Sequence, residues 1–300
     1  LLTIFLYNKV YINSKIYNNL GDKKLINIWS STQQFQIRGF IYPFIYSSRN
    51  INIAPPNNYN KETTKNYLKT LNNYNIPNDK KINIISIMLE AYNDFSVFEG
   101  VKFNVDIYKN YNAVKEEAIS GNIISNVFGG GTINTERSYL TGFYLFPNLR
   151  SKTNSFVWYF KSQGYYTEAM HPIYGWFYNR RNVNLNLGFD NYDFYENKYC
   201  AVYDIQFNSL NDVDFFEYII KGYEDNKRRK QPYFNFTVTY QNHGPYSPIE
   251  QDNEYLKNNN NIDKETYNML NMYFSGIYNT DIALGNLINY LGPIMRDIRH

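Results

Sequence analysis

The sequence predicts an α/β domain with a largely parallel central sheet flanked by helices. Three observations lead there. Ile82–Leu89 is a short, nearly continuous apolar run of the kind buried at the centre of a parallel sheet. Helix and strand signals then alternate: Ser155–Ser162 before Tyr166–Met170, and Asp212–Tyr223 before Tyr233–Tyr240. Glu265–Leu291 carries apolar residues at helical spacing, among them Leu270, Tyr273, Ile277, Leu284 and Leu287.

Taken in order, residues 1–80 read as a lead-in segment and 81–300 as the main domain. The lead-in holds a polar loop at Ala54-Pro55-Pro56-Asn57-Asn58 and a helix-like stretch over Glu62–Asn72. Pro77–Lys81 is a turn signal, after which Ile82–Leu89 runs into Glu90. Gly129-Gly130-Gly131 allows a tight turn, and the residues from Thr132 onward could open a helix. Gln163-Gly164 ends the next helix before Tyr166–Met170. The basic run Lys227-Arg228-Arg229-Lys230 is expected in a solvated loop.

Composition excludes some functions. Thirty basic against 27 acidic residues, a net charge of +3, is too balanced for a nucleic-acid binder. Cys200 is the sole cysteine, which rules out an intrachain disulfide and a thiolate metal cluster. No stretch reaches the roughly 18–20 apolar residues that span a bilayer. The excess of Tyr (32) and Phe (21) follows the residue usage of an AT-rich genome and is not read as a binding code.

In open α/β sheets chemistry gathers at the carboxyl ends of strands. Glu90, His171 and His243 each follow a strand-like run at that end. A buried carboxylate such as Glu90 needs a partner, and a divalent metal would serve; a glutamate turned to solvent or paired with lysine is the plain alternative. Thr132 would sit where helix N–H groups attract phosphate, or simply cap the helix. Arg180, nine residues past His171, offers the planar fork that matches phosphate, although one of two adjacent arginines often only faces solvent. His243 lies in Gln241-Asn242-His243-Gly244-Pro245-Tyr246, a turn suited to binding or protonating a leaving group.

Together these segments resemble the lipoteichoic acid synthase and phosphoglycerol transferase family, in the sulfatase-like branch of the alkaline phosphatase superfamily. The resemblance covers about residues 30–292. It runs through Ile84–Glu90, Gly130-Gly131-Thr132-Ile133-Asn134-Thr135-Glu136, Phe177-Tyr178-Asn179-Arg180 with Gly188-Phe189-Asp190, Asn242–Tyr246, and Tyr278–Gly285. It implies an alkaline phosphatase/sulfatase-like sheet, with Glu90 and Thr132 binding Mn²⁺ or Mg²⁺. It implies that Thr132 attacks a phosphoglycerol headgroup to form a phospho-threonine intermediate, Thr135 being the alternative nucleophile. Arg180 and His243 would hold phosphate and glycerol oxygens, with Tyr178 where the family often has Trp and His171 lining the pocket.

The implied donor is a phosphatidylglycerol-like lipid or glycerol-phosphate polymer. The implied place is the cell membrane, with the catalytic domain on the extracellular face and the lead-in following a membrane region absent from this chain. One departure stands out. The family adds an adjacent Asp-His pair on a strand after the long helix, whereas Leu291–His300 (LGPIMRDIRH) does not read as that strand. The expectation is a domain truncated at its C-terminus with half of its metal site. Competing readings are a sulfatase-like phosphodiesterase and a non-catalytic headgroup-binding fragment. The C/S-x-P-x-R loop of true sulfatases is absent, since Cys200 is followed by Ala201-Val202-Tyr203.

Overall fold

A computed structural model describes residues 5–20, 31–50, 55, 57–71, 74–124, 131–143, 149–206, 209–257 and 262–297. Gly129, Gly130, the Asn258–Asn261 loop, His300 and most of the apolar start at Leu1–Leu6 lie outside them. The chain forms two compact units, Leu1–Tyr74 and Asn75–His300. The described residues of the first form the α-helices α1 (Ser14–Asn19), α2 (Ser31–Arg38), α3 (Ile41–Ser47) and α4 (Lys61–Thr70). Asn13 and Asn60 cap α1 and α4 by accepting backbone N–H groups of the first turn. Tyr17 stacks on Tyr46 with ring centroids 3.6 Å apart, and Arg38 and Arg49 cover the two rings.

The second unit is built on four parallel strands in the order β1-β4-β2-β3: β1 (Ile84–Met88), β2 (Tyr166–Met170), β3 (Asn191–Asp193) and β4 (Tyr233–Val238). Its helices are α5 (Lys109–Glu117), α6 (Thr132–Thr141), α7 (Phe156–Ser162), α8 (Arg180–Leu187), α9 (Asp212–Arg229) and α10 (Lys264–Asp297). Helices cover both faces of the sheet, and alternation within the strands supplies both. Phe234, Phe236 and Val238 of β4 join Ile84 and Met88 of β1 in a core with Leu140, Val157, Leu187 and Phe189. Ile85 and Ile87 face the opposite core, with Phe215, Phe216 and Ile219 of α9 and Ala283 and Leu287 of α10. Each such side chain, fully buried, contributes about 1.5–3 kcal/mol.

Tyr166–Met170 forms as expected, because Ser155 caps α7 and Gly164 breaks out of it at φ +84°. The Ile82–Leu89 and Tyr233–Tyr240 runs form strands shorter at their ends, since only Ile84–Met88 and Tyr233–Val238 find ladder partners. The basic run corrects its expectation. Lys227–Arg229 form the last turn of α9, where cations suit the helix dipole and Glu224 and Asp225 pair with Lys227 and Arg228. After Leu291 the chain continues as helix to Asp297.

Candidate active site

Parallel pairing puts the carboxyl ends of β1, β4 and β2 side by side, with Met88 opposite Val238 and Met170 opposite Thr237. Glu90 lies two residues past β1, His171 directly past β2, and His243 on the turn that follows β4. The Glu90 backbone N–H donates to Thr239 Oγ1 at 2.9 Å, which ties the end of β1 to that of β4. Gly131, at φ +70°, precedes α6 in a left-handed conformation, so the chain enters the helix with Thr132 as its first residue. The Thr132 hydroxyl donates to Glu90 Oε1 at 2.7 Å. Burial raises the Glu90 carboxyl above its ordinary value; the Thr132 bond, His243 and Arg180 pull the other way.

Thr132 and Glu136 are four residues apart on α6, so they share a face. Glu136 accepts from Arg180 Nη2 at 3.0 Å and from Nε at 3.2 Å, and both residues are only 2–3% exposed. Burial opposes the Arg180 charge, and Glu136, with Tyr192 and Glu90, more than offsets it. The guanidinium is thus held rigidly with Nη1 left over: a buried donor with no partner among the described residues.

His171 is 2% exposed, and its Nδ1 faces the Val238 carbonyl at 2.8 Å. A carbonyl only accepts, so Nδ1 carries the proton and Nε2 the lone pair. Burial, reinforced by Arg180, holds the imidazole pKa well below its ordinary value and the ring neutral. Nε2 is therefore a buried acceptor without a partner among the described residues, and the same holds for the buried Tyr192 hydroxyl. Such atoms cost about 1–3 kcal/mol each unless a ligand meets them.

The rim is more open. His243 is exposed, stacks on Tyr240 at 5.0 Å, and its Nδ1 lies 2.6 Å from the Gly244 carbonyl. Tyr178 is 44% exposed, with its ring 5.4 Å from the Arg180 guanidinium. Tyr178 and Asn179 both take positive φ, 55° and 58°, a strained conformation held in part by Arg137, whose Nη2 donates to the Tyr178 carbonyl at 3.0 Å. Thr135 lies one residue before Glu136 on α6. The structure thus gathers Glu90, Thr132, Arg180, His171 and His243, with Tyr178 at the edge. Sequence reasoning left Glu136 and Tyr192 without roles; the i, i+4 spacing of Glu136 from Thr132 was the available signal for the first.

A hard divalent cation would find suitable donors in the Glu90 carboxylate and the Thr132 hydroxyl. They fit in kind and not in number, because no group of three or more His, Cys, Asp or Glu suited to a metal gathers among the described residues.

Buried polar groups, some without a partner among the described residues, gather at the carboxyl edge of a parallel sheet beside a hydroxyl at a helix N-terminus. The chain belongs to the sulfatase family, whose model (Sulfatase) matches residues 82–297. Enzymes of this superfamily are generally dependent on divalent metals. The fold is shared with the lipoteichoic acid synthase LtaP of Listeria monocytogenes, at 19% identity and a TM-score of 0.58 over 77% of this chain and 58% of that one. It is shared too with the phosphoglycerol transferase GacH of Streptococcus pyogenes, solved with sn-glycerol-1-phosphate. That match has 22% identity and a TM-score of 0.62 over 81% of this chain and 67% of that one. A Rhizobium meliloti protein with a proposed role in cyclic beta-1,2-glucan modification is 26% identical over 273 residues, 88% of this chain. The chain spans about two fifths (41%) of that relative's length.

Proposed function

We propose that this domain transfers a phosphoglycerol-type group from a lipid headgroup or glycerol-phosphate polymer, with Thr132 as the nucleophile. The supporting observation is the Thr132 hydroxyl, 2.7 Å from Glu90 and on the same helix face as the residue that holds Arg180. In the first step the Thr132 Oγ1–phosphorus bond forms and the bond from phosphorus to the lipid oxygen breaks. The threonine proton leaves along its hydrogen bond to Glu90, whose raised pKa suits it to accept one. The departing oxygen keeps the electron pair and takes a proton at the rim, where His243 is placed to give it. An acceptor hydroxyl then attacks phosphorus and gives its proton back to His243, while the phosphorus–Thr132 Oγ1 bond breaks and the threonine oxygen retakes the proton held by Glu90.

Arg180 Nη1 is free to meet a phosphoryl oxygen, and His171 Nε2 can accept from a glycerol hydroxyl. Mn²⁺ or Mg²⁺, held in part by Glu90 and Thr132, would supply charge neutralisation and a more acidic hydroxyl. The domain would work on the extracellular face of the cell membrane, with residues 1–80 as the lead-in to 81–300. No helix among the described residues is long and apolar enough to cross a membrane. The test is turnover of phosphatidylglycerol with Mn²⁺. Release of diacylglycerol with glycerol phosphate passed to an acceptor supports transfer; release of free glycerol phosphate alone indicates a phosphodiesterase. Metal-independent binding without turnover would mark a headgroup-binding domain.

A further inference from the structure

The His243 turn is tied from behind by a chain of buried side chains that the proposed chemistry does not use. Asn242 is 2% exposed; its Nδ2 donates to Thr280 Oγ1 at 2.9 Å, and its carbonyl accepts the Tyr246 hydroxyl at 2.6 Å. The Thr280 hydroxyl in turn donates to Asp212 Oδ2 at 2.6 Å. On the other side of Asn242, Gln241 accepts the Asp212 backbone N–H at 2.6 Å and donates to the Gly276 carbonyl at 2.9 Å. Gly276 and Thr280 are one turn apart on α10, so a single helix face grips the turn. A Cβ at Gly276 would lie 2.2 Å from Asn242 Oδ1, so only glycine allows that approach.

We propose that Asp212 is a positioning residue for His243, acting through Thr280 and Asn242 to hold the turn in its substrate-binding orientation. The role in catalysis rests on the phosphoryl-transfer function proposed above; the mechanical link does not. A carboxyl fully out of water is costly, and Asp212 accepts one hydrogen bond while its Oδ1 has no partner among the described residues. Helix capping does not account for it, because Asn211 already caps α9 by accepting the Asp214 N–H at 2.9 Å.

The charge on Asp212 sets the polarity of the chain. Ionised, it keeps the Thr280 proton, which leaves a threonine lone pair for Asn242. Protonated, it holds that proton less firmly, and the hydroxyl has a second acceptor in reach, the Gly276 carbonyl at 3.1 Å. Burial pushes the Asp212 carboxyl up to about 7, against the lowering pull of the Thr280 bond, so the exchange falls near neutral pH. Its partners from α10 and from the turn, Thr280 and Gln241, are uncharged. Of the neighbouring acids, Asp214 on α9 is bound by Asn211, and Asp281 on α10 accepts from Asn110 and Tyr111. His243 is the titratable group at the far end. Exchange of the Thr280 proton between its two acceptors registers as an inflection in KM for the phosphorylated donor near pH 7.

The test compares wild type with Asp212→Asn, Asp212→Ala and Thr280→Val in the full chain. It reads donor kinetics against pH and the NMR signals of the three histidine rings. Asn still accepts from Thr280 but cannot titrate. It is expected to keep KM within about threefold while abolishing the KM inflection and the matching shift of the His243 ring. Thr280→Val, nearly isosteric, and Asp212→Ala break the chain and are expected to raise KM about tenfold with a smaller effect on kcat. Unchanged KM and an unmoved His243 signal in Thr280→Val would overturn the role, even if Asp212→Ala fails to fold. Absence of wild-type turnover would instead count against the transferase function, and the His243 signals would still decide the link.

Discussion

The strands β2 and β4 carry two buried polar clusters built to opposite rules. Within the sheet, Glu168 of β2 has both oxygens taken: Oε1 by Asn191 Nδ2 at 2.8 Å and Oε2 by the Tyr233 hydroxyl. Asp193 of β3 is closed in the same way, by Asn191 at 2.9 Å and Lys198 at 3.2 Å. At the carboxyl edge of the sheet, Arg180 Nη1 and His171 Nε2 are equally buried but have no partner among the described residues. A closed network rigidifies, whereas an open one loses stability until something fills it. The difference separates carboxylates whose oxygens are paired within the sheet from nitrogen atoms left unpaired at its edge.

The sharpest way to break the comparison is to exchange effects between the clusters. Thr132→Ala is expected to cut turnover at least about 10³-fold with little change in thermal midpoint. Glu168→Ala should do the reverse, lowering stability by about 1–3 kcal/mol through the unpaired Tyr233 and Asn191 groups while the folded fraction keeps its activity. Denaturant melts alongside kinetics would show both. Glu136→Ala bridges the clusters, because it leaves the buried Arg180 charge alone. A loss of about 3–5 kcal/mol in chemical denaturation is expected.

Filling the open network should repay its cost. Glycerol phosphate at about 100 times its dissociation constant would add about 2.7 kcal/mol of stability, and Arg180→Met should remove most of the gain. The smallest effect belongs to Asp190. Against the opposing effect of burial, Lys161 and Thr167 hold its carboxyl below the ordinary value. A depressed carboxyl stabilises the fold above its unfolded pKa, and the contribution is lost as pH falls through the folded value. Asp190→Asn should therefore cost about 1 kcal/mol at neutral pH, reduced by its solvent exposure, with the gap closing under acid conditions.

Much of this was legible in the sequence, for physical reasons that also explain the gaps. Apolar runs ending in Glu90, His171 and the His243 turn marked the sheet and its chemically useful edge, because buried parallel strands are nearly continuous in hydrophobicity. The three-residue β3, Asn191–Asp193, gave no such signal: it has no β-branched residue and a single apolar one. The Glu136–Arg180 pair joins residues 44 apart, and only the fold brings them together. Nor does a sequence tell which nitrogen of His171 is left free, since that depends on the Val238 carbonyl across the neighbouring strand. The basic turn of α9 has the composition of a loop when taken alone, and its helical state depends on acidic partners one turn earlier, Glu224 and Asp225.

The most direct test of the central claim is to catch the covalent intermediate. Full chain incubated with Mn²⁺ and a phosphatidylglycerol donor, then quenched and digested, should carry a phosphoglycerol adduct on Thr132 that Thr132→Ala abolishes. Robust donor turnover with no adduct on Thr132, or with the adduct on Thr135, would contradict it.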